Sequence, residues 1–192
     1  MNTVSEKYKI NTKLITKLFD KSNKDACKNL IESILNDIDE TKNLKYTPKT
    51  VDFISIQRIT KSNIQKYQNI RNNIFKLNYV CDGQECELFF VYQSTKYLKF
   101  WNNMSFFSYD LYKKHKNIND SKKRILVYLI TDDIFAKHNN RNEFTQINPF
   151  HTVSYFNNKN SVKDDTFEVR YLYSANATSD TNLQNWVNAL IS

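Results

Sequence analysis

The only glycine in the chain, Gly83, follows Asp82, and the pair falls between two β-prone runs, Leu77 to Cys81 and Glu85 to Tyr92. Asp-Gly in that setting is a strong hairpin signal, because a two-residue turn of the favoured type needs positive φ at both central positions. The same residue limits function. Loops that wrap closely around phosphates, such as the P-loop and the dinucleotide-binding turn, need several glycines where the backbone approaches the ligand. With Gly 1 and Pro 2 in 192 residues, neither motif can be present.

The N-terminal third has helical periodicity. Cys27, Leu30, Ile31, Ile34, Leu35 and Ile38 follow the i, i+3, i+4, i+7, i+8, i+11 series of an amphipathic helix, with Ser22 and Asn23 available as caps. An earlier, weaker helix carries Ile10, Leu14, Ile15, Leu18 and Phe19, and a third is expected from about Thr60 to Phe75. After Ile74 the period changes. Beyond the hairpin, β-prone runs occupy Tyr97 to Trp101, Met104 to Tyr112, Arg124 to Ile130, Phe150 to Phe156 and Thr166 to Tyr173. Lys113 to Lys123 and Asn157 to Asp165 read as polar loops. A last helix, from about Asp180 to Ile191, places Leu183, Trp186, Val187 and Leu190 on one face.

The expected fold class is therefore α+β. N-terminal amphipathic helices (residues 1–73) precede a β-rich domain (74–192), an antiparallel, curled sheet of seven strands forming a partial barrel. The C-terminal helix closes the barrel, with Trp186 as the plug. A hydrophobic fraction of 40% and an aromatic fraction of 14% suffice for a core.

The net charge of +8 suggests an acidic partner, although the abundance of Asn, Lys, Ile, Tyr and Phe also fits the codon bias of an AT-rich genome. Three cysteines, Cys27, Cys81 and Cys86, do not suggest a disulfide framework, and the polar start from Met1 to Lys13 lacks the apolar stretch of a signal peptide. A cytoplasmic location with reduced thiols is the expectation.

In the C-terminal half, three segments resemble a pleckstrin-homology domain. DTNLQNWVNALI (180–191) is similar to the family's closing helix with its Trp, TFEVRYLYSANA (166–177) to the strands before it, and KRILVYLITDDIFAK (123–137) to a strand-turn-strand unit. The resemblance implies a lipid-headgroup site in which Lys114 is followed by Lys122 and Arg124. Lys113, Lys114, Lys116, Lys122, Lys123 and Arg124 then form the candidate binding loop, offering several cationic donors to one polyphosphate. If the Asp82-Gly83 hairpin is the first strand pair, the domain starts near residue 74 and this loop lies between later strands.

Other constellations carry less. His115 and His138 sit in charged or Asn-rich surroundings and read as surface residues, and His151 lacks a partner for proton transfer. Asp132-Asp133 and Asp164-Asp165 read as turn residues rather than metal ligands. Cys27 reads as core, and no Cys or His spacing suits zinc. Aromatics interleaved with basic residues from Tyr92 to Phe106 could stack bases on an exposed sheet, or line the core. The functional expectation is a non-enzymatic binding module, without cofactor or metal, for an acidic lipid headgroup or acidic protein surface. Alternatives are a nucleic-acid or ribonucleoprotein binder, a host-interaction protein of a virus or parasite, and a metal-dependent nuclease.

Overall fold

A computed structural model describes residues 9–36, 49–59, 73–93, 106–115, 122–130, 150–157, 162–173 and 182–191. The first described helix is α1 (Thr12–Leu18), whose N-cap is Asn11; its side chain accepts the Leu14 N–H at 3.0 Å. A 3-10 turn (Lys21–Asn23) leads into helix α2 (Lys24–Asn36). The cap of that turn is Asp20, whose carboxylate accepts the Ser22 N–H at 2.9 Å. Strands β1 (Val51–Ile59), β2 (Ile74–Cys81) and β3 (Gln84–Tyr92) form an antiparallel meander. Helix α3 (residues 106–115) lies between β3 and β4 (Lys123–Ile130). Strands β5 (Phe150–Asn157) and β6 (Val162–Tyr173) and helix α4 (Asn182–Leu190) complete the described elements.

The six strands make one open sheet in the order β1-β2-β3-β4-β6-β5. The β2–β3 turn is the expected hairpin, with φ of 52° at Asp82 and 76° at Gly83. The fold is α+β, as expected, but the sheet is neither fully antiparallel nor barrel-like. β3 pairs parallel with β4, and β4 pairs parallel with β6. For the β3–β4 pair the reason lies in α3. Met104 to Tyr112 was expected as a strand, yet 106–115 is helical. A helical connection carries the chain back along the sheet, so the next strand enters in the same direction as the last.

Both faces of the sheet are covered. Leu88, Phe90, Tyr92, Ile125, Val127 and Leu129 join Ile15, Leu18 and Phe19 after α1, the apolar stripe of α2, and Leu183, Val187 and Leu190 of α4 in one core cluster. The alternate residues face α3: Phe89 meets Phe107 with ring centroids 6.3 Å apart, and Phe167 meets Tyr112 at 5.3 Å. The central strands are accordingly buried almost without interruption from Cys86 to Tyr92 and from Arg124 to Ile130, the pattern of strands covered on two sides.

Several expectations are corrected here. The stretch before residue 74 is not all helical, because Val51–Ile59 pairs with β2 and extends the sheet. Ile74 and Phe75, expected as the end of a third helix, open β2; residues 60–72 of that expected helix and the run Tyr97 to Trp101 lie outside the described residues. Trp186 is not a buried plug. It packs half-buried at the edge of the core, and its indole N–H donates to Asn29 Oδ1 at 2.8 Å, while Leu183, Val187 and Leu190 do the sealing. Among the described residues no helix is long and apolar enough to cross a membrane.

Candidate functional site

Five of the six basic residues expected to form one binding loop are described, and they are divided between α3 and the start of β4. Lys113 and Lys114 lie exposed in the last turn of α3, and Lys116 lies outside the described residues. Lys122 pairs with Glu85 at 2.7 Å. Lys123 and Arg124 are neighbours on a strand, where successive side chains point to opposite faces. Lys123 reaches Glu168 at 3.6 Å on the α2 side, and Arg124 reaches Glu87 at 2.7 Å on the α3 side. Three of the cations thus meet three different carboxylates.

Beneath the end of α3, Arg124 belongs to a buried polar chain. Glu87 accepts from Lys76 Nζ at 2.8 Å and from Arg124 Nε at 2.7 Å. Arg124 also approaches His115 Nδ1 at 2.5 Å, and His115 Nε2 lies 2.8 Å from Thr166 Oγ1. A guanidinium can only donate, so Nδ1 accepts and the imidazole proton sits on Nε2, directed at the threonine hydroxyl. His115 is 5% exposed, which corrects its reading as a surface residue. Each end of the chain is fixed by secondary structure. Glu87 and Arg124 are partners in the parallel β3–β4 register, and His115 follows Phe107 by two full turns on the inner side of α3. The chain clamps the C-terminal end of α3 to the sheet through the buried Glu87, Arg124 and His115, with Lys76 partly exposed and Thr166 exposed at its two ends.

The opposite face carries a matching device. Arg170 holds Glu168 at 2.7 Å and donates to the Ile34 carbonyl in the last turn of α2, where helix carbonyls lack intrahelical partners. Burial acts to raise the pKa of both Glu87 and Glu168. The opposing cations outweigh it, Lys76 and Arg124 for Glu87 and Arg170 and Lys123 for Glu168, so both carboxyls sit below the usual glutamate range. A depressed carboxylate stabilises the fold at pH above its unfolded value, ~4.3, and that contribution is lost as pH falls through the lower folded value. Chemical denaturation at a series of pH values from about 5 to 2 should therefore show stability falling with pH. The fall should be shallower in Glu87→Gln, and an identical slope in parent and variant would remove this account of the acid limb.

The outer face of α3 is different in kind. Phe106 is 63% exposed and Tyr109 58%, the two large hydrophobic side chains found exposed among the described residues. Lys113 and Lys114 follow one turn later, and neither forms an ion pair among the described residues. Sequence reasoning named Phe106 among aromatics that could stack bases but placed it on a sheet, and it did not single out Tyr109; the signal for the helix was the spacing Phe107, Leu111, His115 on its inner side.

The remaining candidates show no reactive grouping among the described residues. Cys27, Cys81 and Cys86 are buried free thiols; burial pushes Cys27 up to about 12 and raises Cys81 and Cys86 as well, so none is a ready nucleophile. Among the described residues no three His, Cys, Asp or Glu side chains are grouped to hold a metal ion. Asp164 and Asp165 fall within β6 rather than a turn, His151 falls on β5, and Asp132, Asp133 and His138 lie outside the described residues. An open groove of about 590 Å³ along α1 is lined by polar side chains such as Lys13, Lys17 and Asp20. No protein-family model, no curated protein and no solved structure matches the chain.

Proposed function

We propose that the protein is a non-enzymatic binding module for an acidic partner, and that the outer face of α3 makes the contact. The observation that carries this reading is the contrast between the cations of the candidate cluster. Lys122, Lys123 and Arg124 are each engaged in an ion pair, with Glu85, Glu168 and Glu87, whereas Lys113 and Lys114 project from the same helix as the two exposed aromatics. A lipid headgroup or acidic protein surface, the partners expected from the sequence, would meet these two lysines rather than six converging cations. Two lysines supply about 2 kcal/mol toward an anionic membrane, which falls short of stable anchoring. The aromatic rings therefore have to contribute to any useful affinity.

The test separates a site from general basicity. Lys113→Gln with Lys114→Gln should elute from an immobilised polyanion such as heparin at clearly lower salt than the parent. Lys13→Gln with Lys17→Gln, which removes the same charge from exposed positions on α1, should elute close to the parent. Equal shifts in the two double variants would mean that net charge alone governs retention, and the α3 reading would fail.

A further inference from the structure

We infer that the acidic partner is a single-stranded nucleic acid, with Phe106 and Tyr109 stacking on bases and Lys113 and Lys114 pairing with phosphates; this rests on the acidic-partner reading of α3. Residues three and four apart on a helix are surface neighbours. Phe106, Tyr109 and Lys113 therefore form one stripe, with Lys114 beside its end. At 1.5 Å per residue the stripe spans about 10 Å along the helix axis, room for two or three nucleotides. Asp110, half-buried on the same helix, leaves the stripe with net positive charge.

Ring chemistry decides between this partner and a membrane. A bilayer rewards any buried apolar surface, and interfacial segments mix aliphatic with aromatic side chains. Here no exposed Leu, Ile, Val or Met accompanies the two rings among the described residues. Flat rings next to lysines are the combination that holds unpaired bases, because every base has a face to stack and every nucleotide a phosphate. A polyphosphate headgroup is disfavoured for another reason. It needs several cations converging on one point, and strand alternation sends Lys123 and Arg124 to opposite faces of the sheet.

The experiment uses the full chain and three probes: a dye-labelled single-stranded DNA of mixed sequence, an RNA of the same sequence, and phosphatidylcholine vesicles containing phosphatidylserine. Both oligonucleotides should bind at low salt with similar affinity. Phe106→Ala with Tyr109→Ala should weaken that binding about tenfold or more, since each stacked base is worth roughly that much. Phe106→Trp with Tyr109→Trp should retain it. Lys113→Gln with Lys114→Gln should lower the steepness of log K against log salt by about 1.4, two single-strand phosphates' worth. If the alanine pair binds oligonucleotide as the parent does, the stacking inference is overturned while the lysines keep the acidic-partner reading. Binding to vesicles but not to either oligonucleotide overturns the nucleic-acid assignment alone. If no anionic probe binds, both readings fall together. All four positions changed in this experiment are exposed, so melting temperatures should stay close to the parent's.

Discussion

Glu87→Leu is expected to destabilise the fold by about 4 kcal/mol, within the range seen when one partner of a buried ion pair is removed. Glu87 is 8% exposed and is the carboxylate that both Lys76 and Arg124 meet, at 2.8 and 2.7 Å. Without it Arg124 remains buried, its charge met by the His115 Nδ1 lone pair instead of a carboxylate, with the Lys76 cation nearby. Arg124→Leu should cost less, about 3 kcal/mol, because Glu87 keeps Lys76, whose partly exposed stem can lead its charge toward water. The double variant Glu87→Leu with Arg124→Leu should be more stable than Glu87→Leu alone, since the desolvation cost of both charges disappears together. Urea denaturation of the four proteins provides the cycle. Simple addition of the two single losses would show that the groups are not coupled and that the chain under α3 is not a clamp. Hydrogen exchange in the last turn of α3 gives a local check, because that turn should open first in the single variants.

How far the sequence foretold this arrangement depends on whether local or distant neighbours decide each element. The hairpin was legible because its chemistry is local: Asp82 and Gly83 adopt the positive φ values that the turn demands. The stripes of α2 and α4 were legible for the same reason, each burying its apolar residues at helical spacing. Strand β1 was not. It is an edge strand with a register irregularity between Phe53 and Ser55, so its alternation is broken and only pairing with β2 defines it. Helix α3 was misread because its aromatic residues favour strands in isolation, and packing of Phe107, Tyr112 and His115 against the sheet overrides that preference. That single misreading turned a parallel crossover into an antiparallel meander and hid the exposed rings. The divergence of Lys123 and Arg124, by contrast, could have been read in advance. Both belong to a run recognised as a strand, where adjacent side chains cannot converge on one ligand.

Two phenylalanines on opposite sides of this architecture should behave in opposite ways. Phe90→Ala is expected to cost about 4 kcal/mol, the usual loss for truncating a fully buried aromatic, because the helices around the site can collapse into the void only in part. Phe90 is 0% exposed in the middle of β3, its ring centroid is 4.9 Å from that of Phe19, and Phe19 in turn stacks on Phe75 at 4.6 Å. Removing it withdraws support from the end of α1 as well as from the sheet, so the melting temperature should drop by roughly 10 °C for a chain of this size. Phe106→Ala, which exposes rather than empties space, should stay within about 0.5 kcal/mol of the parent. Thermal melts of both variants are sufficient. A small loss at Phe90 would mean that the helical layer does not bear on the centre of β3. A large loss at Phe106 would mean that its ring supports the fold, and a residue needed for folding could not serve as a free surface for a ligand. The two outcomes together thus decide whether Phe90 belongs to the core beneath the N-terminal helices and Phe106 to the surface of α3.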